Sequence, residues 1–153
     1  MYQIHIQALE QLTPQLATQV AELMQQIPEF DKPATADELL TRLADKPCLL
    51  QWAFIEGELA GFKLGYALDE QHFYSWLGGI LPDYRRLGLA QRLLESQEAW
   101  AKDKGYQRVS VKTLNRLAPM LGLLIRNRYQ ITALQNGMQP GDTKLSLQKS
   151  LSL

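Results

Sequence analysis

The segment Pro82-Asp83-Tyr84-Arg85-Arg86-Leu87-Gly88-Leu89-Ala90-Gln91 constrains the fold most, because the hydrophobic period changes across it. Before it, Phe73-Tyr74-Ser75-Trp76-Leu77-Gly78-Gly79-Ile80-Leu81 is a strand-like apolar run. After it, Leu93, Leu94, Trp100 and Ala101 recur at helical spacing. That helix has a stop: Lys102 and Lys104 suit its last turn, Gly105 can take the left-handed position beyond it, and Tyr106 can make the accompanying apolar contact. Arg108 to Thr113 then alternates as a strand. A strand, a helical crossover and a second strand make Phe73–Leu81 and Arg108–Thr113 parallel members of one sheet. The turn itself suits an anion such as phosphate. Amides at a helix N-terminus are unpaired and point outward, Arg85 and Arg86 add charge, Gly88 allows close backbone approach, and Ala90 leaves the first turn uncluttered.

The rest of the chain surrounds this unit with short elements. Gln3 to Ala8 alternates as a first strand. Thr13-Pro14 opens a helix with Leu16, Val20, Leu23, Met24 and Ile27 inward, closed by Pro28. Ala34 to Asp45 is a second helix, with Thr35 and Glu38 spaced as a capping box and Leu39, Leu40 and Leu43 inward. Leu49–Ile55 and Leu59–Leu68 form a hairpin about Glu56-Gly57-Glu58, and Gln71–Leu81 extends it to a meander. Pro119 to Asn127 is a short apolar helix, and Tyr129–Leu134 with Lys144–Leu151 closes the chain as a hairpin. The expected fold class is α/β, one domain over residues 1–153, with a mixed, mostly antiparallel sheet flanked by helices in the order βααβββαβαββ.

Composition excludes several functions. Sixteen basic and sixteen acidic residues cancel, so no global field points to nucleic acid or an anionic membrane. Charge at Arg85 and Arg86 is therefore local and suits a small polyanion. The one cysteine, Cys48, rules out an internal disulfide and a multi-cysteine metal site, and its apolar surroundings read as a buried thiol. No metal is expected. Met120 to Ile125 is far too short to cross a bilayer, and the N-terminus lacks the basic and apolar regions of a secretion signal, so the expected location is cytoplasmic. There is no Gly-Lys-(Ser/Thr) and no three-glycine fingerprint for a nucleotide.

Arg85-x-x-Gly88-x-Ala90 after a strand resembles the (Gln/Arg)-x-x-Gly-x-(Gly/Ala) pyrophosphate loop of the GNAT-type acyl-CoA N-acyltransferases, and the element order resembles theirs too. The resemblance implies acetyl-CoA as co-substrate and an amine as acceptor. It implies that the amides of Arg86, Leu87, Gly88, Leu89, Ala90 and Gln91 surround the pyrophosphate, with Arg85 and Arg86 assisting. Gly78, Gly79 and Ile80 would form the strand edge that pairs with pantetheine, the Gly79–Ile80 amides polarising the thioester carbonyl. Asn115 matches an asparagine that contacts the same arm, with a plain helix N-cap as the alternative. A homodimer through the C-terminal hairpin is a further family expectation.

The chain departs from the family where a tyrosine usually protonates the leaving thiolate: Asn115-Arg116-Leu117-Ala118-Pro119-Met120-Leu121 leads to Gly122. Tyr129 could serve instead, or pack as a core aromatic. Candidate general bases are Glu29, beside Phe30 in the connection between the first two helices, and Glu70 or His72; a water chain is the alternative. Tyr66, Tyr74 and Trp76 either line the acceptor pocket or fill a sheet face, and Trp52 and Trp100 read as core. The acidic group Glu29, Asp31, Asp37 and Glu38 suggests a cationic acceptor, though it equally suits helix ends. Missing the tyrosine, the chain could also be a module that binds acyl-CoA without turnover.

Overall fold

A computed structural model describes residues 2–151. Among the described residues, seven strands join one sheet in the order β1 (Ile4–Leu9), β2 (Cys48–Ile55), β3 (Glu58–Ala67), β4 (His72–Ile80), β5 (Arg108–Leu114), β7 (Lys144–Ser150), β6 (Gln130–Gln135). Every neighbouring pair is antiparallel except β4 and β5, which are parallel, as the crossover requires. The α/β class and the order of elements are those expected from the sequence.

Helix α1 (Pro14–Met24) starts on Thr13, whose hydroxyl accepts from the Leu16 amide, with proline in the first turn. It ends before Pro28, and Ile27 reaches the core from the turn that follows, its amide bonded to the Met24 carbonyl. Helix α2 (Ala36–Leu43) carries the full capping box between Thr35 and Glu38. Helix α3 (Leu89–Asp103) closes as anticipated: Gly105 sits at φ +95, its amide bonds the Lys102 carbonyl, and the Tyr106 amide bonds the Ala101 carbonyl. Helix α4 (Ala118–Arg126) begins just ahead of Pro119.

Helices α1 and α2 cover one face of the sheet, burying Leu50, Trp52, Phe62, Leu64 and Tyr66 with Val20, Leu23, Met24, Ile27, Leu39 and Leu43. Helices α3 and α4 cover the other. There Leu49, Phe73, Val109, Val111 and Leu147 pack with Leu94, Ala101 and Leu124, and Ala53, Ile55 and Ala60 pack with Leu89 and Leu93. Each fully buried large side chain contributes about 1.5–3 kcal/mol of burial, so both faces hold the sheet. Cys48 is buried, and burial pushes its thiol pKa up.

Two irregularities shape the centre. The β3–β4 register runs Leu64↔Leu77 and then Gly65↔Ser75, so Trp76 is an extra residue, a β-bulge. The parallel pairing of β4 with β5 stops at Ser75↔Val111. Beyond that point β5 stays with β7 through Leu114 while β4 stays with β3 through Ile80. The sheet therefore opens into a V between β4 and β5, closed at Ser75 and Val111 and open towards Ile80 and Leu114.

Candidate coenzyme and acyl-transfer site

The inner edge of the V is set by strand alternation. The Leu81 amide bonds the Ala60 carbonyl, so Leu81, Gly79 and Leu77 direct their backbone groups to β3. Gly78 and Ile80 direct theirs into the V, where β5 no longer answers them. This corrects one expectation: the Gly79 amide belongs to the β3 ladder, and the free edge is Gly78 and Ile80. Gly79 matters for a different reason. A Cβ there would lie 2.9 Å from Ile27 Cδ1 and 3.3 Å from Phe30 Cε2, so glycine lets the α1–α2 connection lie close against β4.

The Pro82–Gln91 segment stands at the open end of the V. A 3-10 turn over Pro82–Tyr84 lifts the chain off β4. Arg86 at φ +64 and Gly88 at φ +85 then turn it into α3, whose N-cap glycine offers no side-chain acceptor. Among the described residues no group accepts from the amides of Arg86, Leu87, Gly88, Leu89, Ala90 or Gln91. Leu87 and Leu89 anchor the loop in the apolar layer beneath it. Gln91 is turned to α4 and exchanges two 2.8 Å amide hydrogen bonds with Asn127; its backbone amide, not its side chain, faces the loop.

Arg85 has partners already. Its Nε donates to the Ile80 carbonyl at 3.1 Å, on the free edge of β4, and its Nη2 meets Glu29 Oε1 at 2.6 Å. That guanidinium holds the Glu29 carboxyl below the usual carboxylate range. Across the V, Arg116 meets Asp31 Oδ2 at 2.6 Å and Asp142 Oδ1 at 3.0 Å. The α1–α2 connection thus bridges the mouth of the V, tied by Glu29 on the β4 side and by Asp31 on the β5 side. Motif spacing offers no sign of the Arg116 ties, which join residues far apart in the chain.

Asn115 does not cap α4. Its Nδ2 donates to the Pro140 carbonyl at 3.1 Å and its amide to the Thr143 carbonyl, pinning the β6–β7 loop beside β5. Tyr129 is 3% exposed in the core under α3. Its hydroxyl donates to Glu98 at 2.8 Å, and burial first, then Glu98, drives its pKa far up. A phenol held that way keeps its proton, so the structure supports the core-aromatic reading of Tyr129 and not the acid. Gly122 lies within α4, where a Cβ would stand 3.2 Å from Nη1 of Arg126.

On the α1–α2 face, Tyr66, Tyr74 and Trp76 form an edge-on cluster with centroids 5.4 and 5.9 Å apart. Arg42 lies over Trp76 at 4.6 Å. Trp52 is core, whereas Trp100 is half-buried, its Nε1 donating to Glu10. His72 Nε2 is 2.6 Å from Ser110 Oγ, its pKa lowered by burial and then by Arg108. Glu70 is exposed in the β3–β4 turn. Among the described residues no group of acidic, histidine or cysteine side chains has the arrangement of a metal site, and no helix is long and apolar enough to cross a membrane.

The split parallel pair inside an antiparallel sheet is the fold that solved acetyltransferase structures share with this chain. The chain belongs to the acetyltransferase (GNAT) family, whose model matches residues 17–124. It is 30% identical over 117 residues to a thialysine N-epsilon-acetyltransferase of Caenorhabditis elegans, covering 68% of this chain and 71% of the relative. Its fold matches the ribosomal-protein-S18-alanine N-acetyltransferase of Escherichia coli at TM-score 0.81 and 15% identity, over 99% of this chain and 96% of that one. A GNAT family acetyltransferase of Elizabethkingia anophelis with acetyl-CoA bound matches at TM-score 0.72 and 18% identity, over 96% and 97%.

Proposed function

We propose that residues 1–153 act as one N-acetyltransferase domain that takes an acetyl group from acetyl-CoA and delivers it to a primary amine by direct attack in a ternary complex. The observation that carries this reading is the convergence of two sets of unsatisfied backbone groups on one cleft: the amides of Arg86 to Gln91 at its mouth and the Gly78–Ile80 edge along its wall. The first set suits a pyrophosphate, with Arg85 and Arg86 adding charge. The second suits an extended amide-bearing arm laid beside β4 as an added strand. Asn115, beside the other wall, keeps its amide oxygen for that arm.

On this reading the Gly78 and Ile80 amides orient and polarise the thioester, and catalysis rests on positioning and carbonyl polarisation. Glu29 removes the acceptor's proton once the pyrophosphate has drawn Arg85 away; a water chain is the other route. A lysine-like amine is a natural acceptor to try first, given the C. elegans relative's name. Because Gly122 stands where the family carries a proton donor, a module that holds acyl-CoA without turnover is the second reading.

Calorimetry with acetyl-CoA tests the site. Arg86→Glu and Gly88→Trp are expected to abolish binding, and unchanged affinity would remove the loop from the site. Free-thiol release over an amine panel separates the two readings: binding with no thiol released for any amine would favour the module without turnover.

A further inference from the structure

The sheet face beneath α3 carries polar residues with no evident structural purpose. Gln51 on β2 and Lys63 on β3 lie directly opposite each other, and Gln97 lies on α3 above them; their exposures are 0%, 8% and 0%. Gln51 Nε2 donates to the Leu93 carbonyl at 3.2 Å. Gln51 Oε1 and both amide atoms of Gln97 are buried with no partner among the described residues. The layer between the sheet and α3 is thus polar at Gln51, Lys63 and Gln97 where most of the rest of that face is apolar.

Lys63 connects that place to the cleft. It pairs across the sheet with Gly78, on the free edge of β4. A Cβ at Gly78 would lie 3.5 Å from Lys63 Cγ, so the lysine stem runs over the glycine. The charge bearing on Lys63 is Glu98 on α3, itself held by Lys149 of β7 at 2.7 Å and by Tyr129. Those partners place Glu98 beyond β4, over β5 and β7. The attraction of Glu98 therefore acts on Lys63 from the far side of β4, across Gly78 and buried Ser75 at the closed end of the V. The facing groups of β2, β4 and α3 other than Glu98, namely Gln51, Ser75 and Gln97, do not titrate.

We propose that Lys63 is the proton donor to the sulfur of the coenzyme, standing in for the absent tyrosine. The proposal rests on the acetyl-CoA reading above and deepens it. With the pyrophosphate at the open end, an arm laid along Ile80 and Gly78 brings its terminal sulfur about 13 Å deeper, to the closed end, at ~3.3 Å per strand residue. There the acceptor nitrogen bonds to the thioester carbon and the carbon–sulfur bond breaks with its electron pair on sulfur. The Lys63 ammonium gives that sulfur a proton and becomes a neutral amine, which regains a proton from water. The proton from the acceptor nitrogen leaves to Glu29 or water, so amine plus thioester become amide plus thiol. Burial lowers the Lys63 pKa to about 8, near the ~8.5 of an ordinary cysteine thiol, a good match for transfer at neutral pH.

Ultraviolet titration of the thiol in bound coenzyme A, needing no acceptor, tests the contact in wild type, Lys63→Met and Lys63→Arg. The thiolate is expected about one pH unit lower in wild type than in Lys63→Met, from a cation beside sulfur. Lys63→Arg should keep that shift. With an amine acceptor, kcat should fall about 10²–10⁴-fold in both variants, since methionine has no proton to give and arginine holds its own too tightly to release it, while coenzyme affinity changes little. The wild-type fall in kcat above about pH 8 should vanish in Lys63→Met. Identical thiol titration in wild type and Lys63→Met, or undiminished kcat, overturns the assignment even if both bind coenzyme A. Failure of wild type to bind coenzyme A at all would instead sink the acetyl-CoA reading, and this proposal with it.

Discussion

Glu29→Gln separates two roles that one carboxylate could hold. In the structure Glu29 forms a 2.6 Å ion pair with Arg85 whose side chains are 41% and 38% exposed, so its strength is that of a solvent-screened pair, about 0.2–1 kcal/mol. If acetyl-CoA must draw Arg85 towards its pyrophosphate, breaking that pair opposes binding. Removing the carboxylate should then tighten acetyl-CoA by about 1.5- to 5-fold. If Glu29 is also the base, kcat should fall about 10²–10⁴-fold. The pH dependence has a definite sign. Arg85 lowers the folded-state pKa of Glu29, so the pair's stabilisation is present above the unfolded-state pKa and disappears as pH falls through the lowered folded value. The affinity advantage of Glu29→Gln should therefore be full at neutral pH and shrink in acid. Calorimetry across pH together with steady-state kinetics reads both effects. Weaker coenzyme binding in Glu29→Gln with unchanged kcat would refute both roles at once.

Two further perturbations probe the scaffold. A Cβ at Gly65 would lie 2.5 Å from the Phe73 ring and 2.6 Å from the Tyr74 carbonyl, and Phe73 is walled in by Trp100 and Tyr106 at 5.1 and 5.3 Å. Gly65→Ala should cost about 1–3 kcal/mol, lowering the urea midpoint by roughly 0.5–1.5 M at a slope near 2 kcal/mol/M; an unmoved midpoint would mean that β3 and β4 separate freely. The outer strand β6 is exposed along its length, with Ile131 and Leu134 at 49% and 64%, and among the described residues it is a sheet edge open to a second copy. Leu134→Asp should convert a dimer to monomers by light scattering, and a wild type that is monomeric at all concentrations would end the dimer expectation.

The fold was legible because its signals are local. The capping box at Thr35 and Glu38, the Gly105 stop of α3 and the glycine-bearing turn at Gly57 are each written within a few residues, and each formed as read. The strand–helix–strand crossover needs only adjacent elements. Of the candidate site, the sequence could bring together only the backbone part: Arg86 to Gln91 lie side by side because they are consecutive. Which β4 amides face the cleft was not legible, because the Trp76 bulge and the Leu81–Ala60 bond set the phase, and both depend on register with β3. The side-chain ties were hidden for the same reason, Glu29 to Arg85 and Asp31 to Arg116 being contacts across the fold. Lys63 stands in an alternating strand, where a single lysine reads as a solvated position until Gln51, Gly78 and α3 are known to surround it.

The α1–α2 connection couples the two walls of the cleft. It lies on the cleft through the close approach that Gly79 permits. Beyond Phe30, which packs at the margin of the α1–α2 core, its polar ties are the Glu29–Arg85 and Asp31–Arg116 pairs. Arg116 is 39% exposed and Asp31 72%, so each tie contributes no more than about 1 kcal/mol. Holding of that strength fixes the resting position of the connection without preventing its displacement. The two arginines that hold it belong to the two loops that flank the cleft, after β4 and after β5. An anion at the β4–α3 loop would compete for Arg85, and a cationic amine approaching from the other side would compete with Arg116 for Asp31. Donor and acceptor would then each loosen one end of the same segment, and on the proposed reading the carboxylate freed by the donor, Glu29, would serve as the acceptor's base.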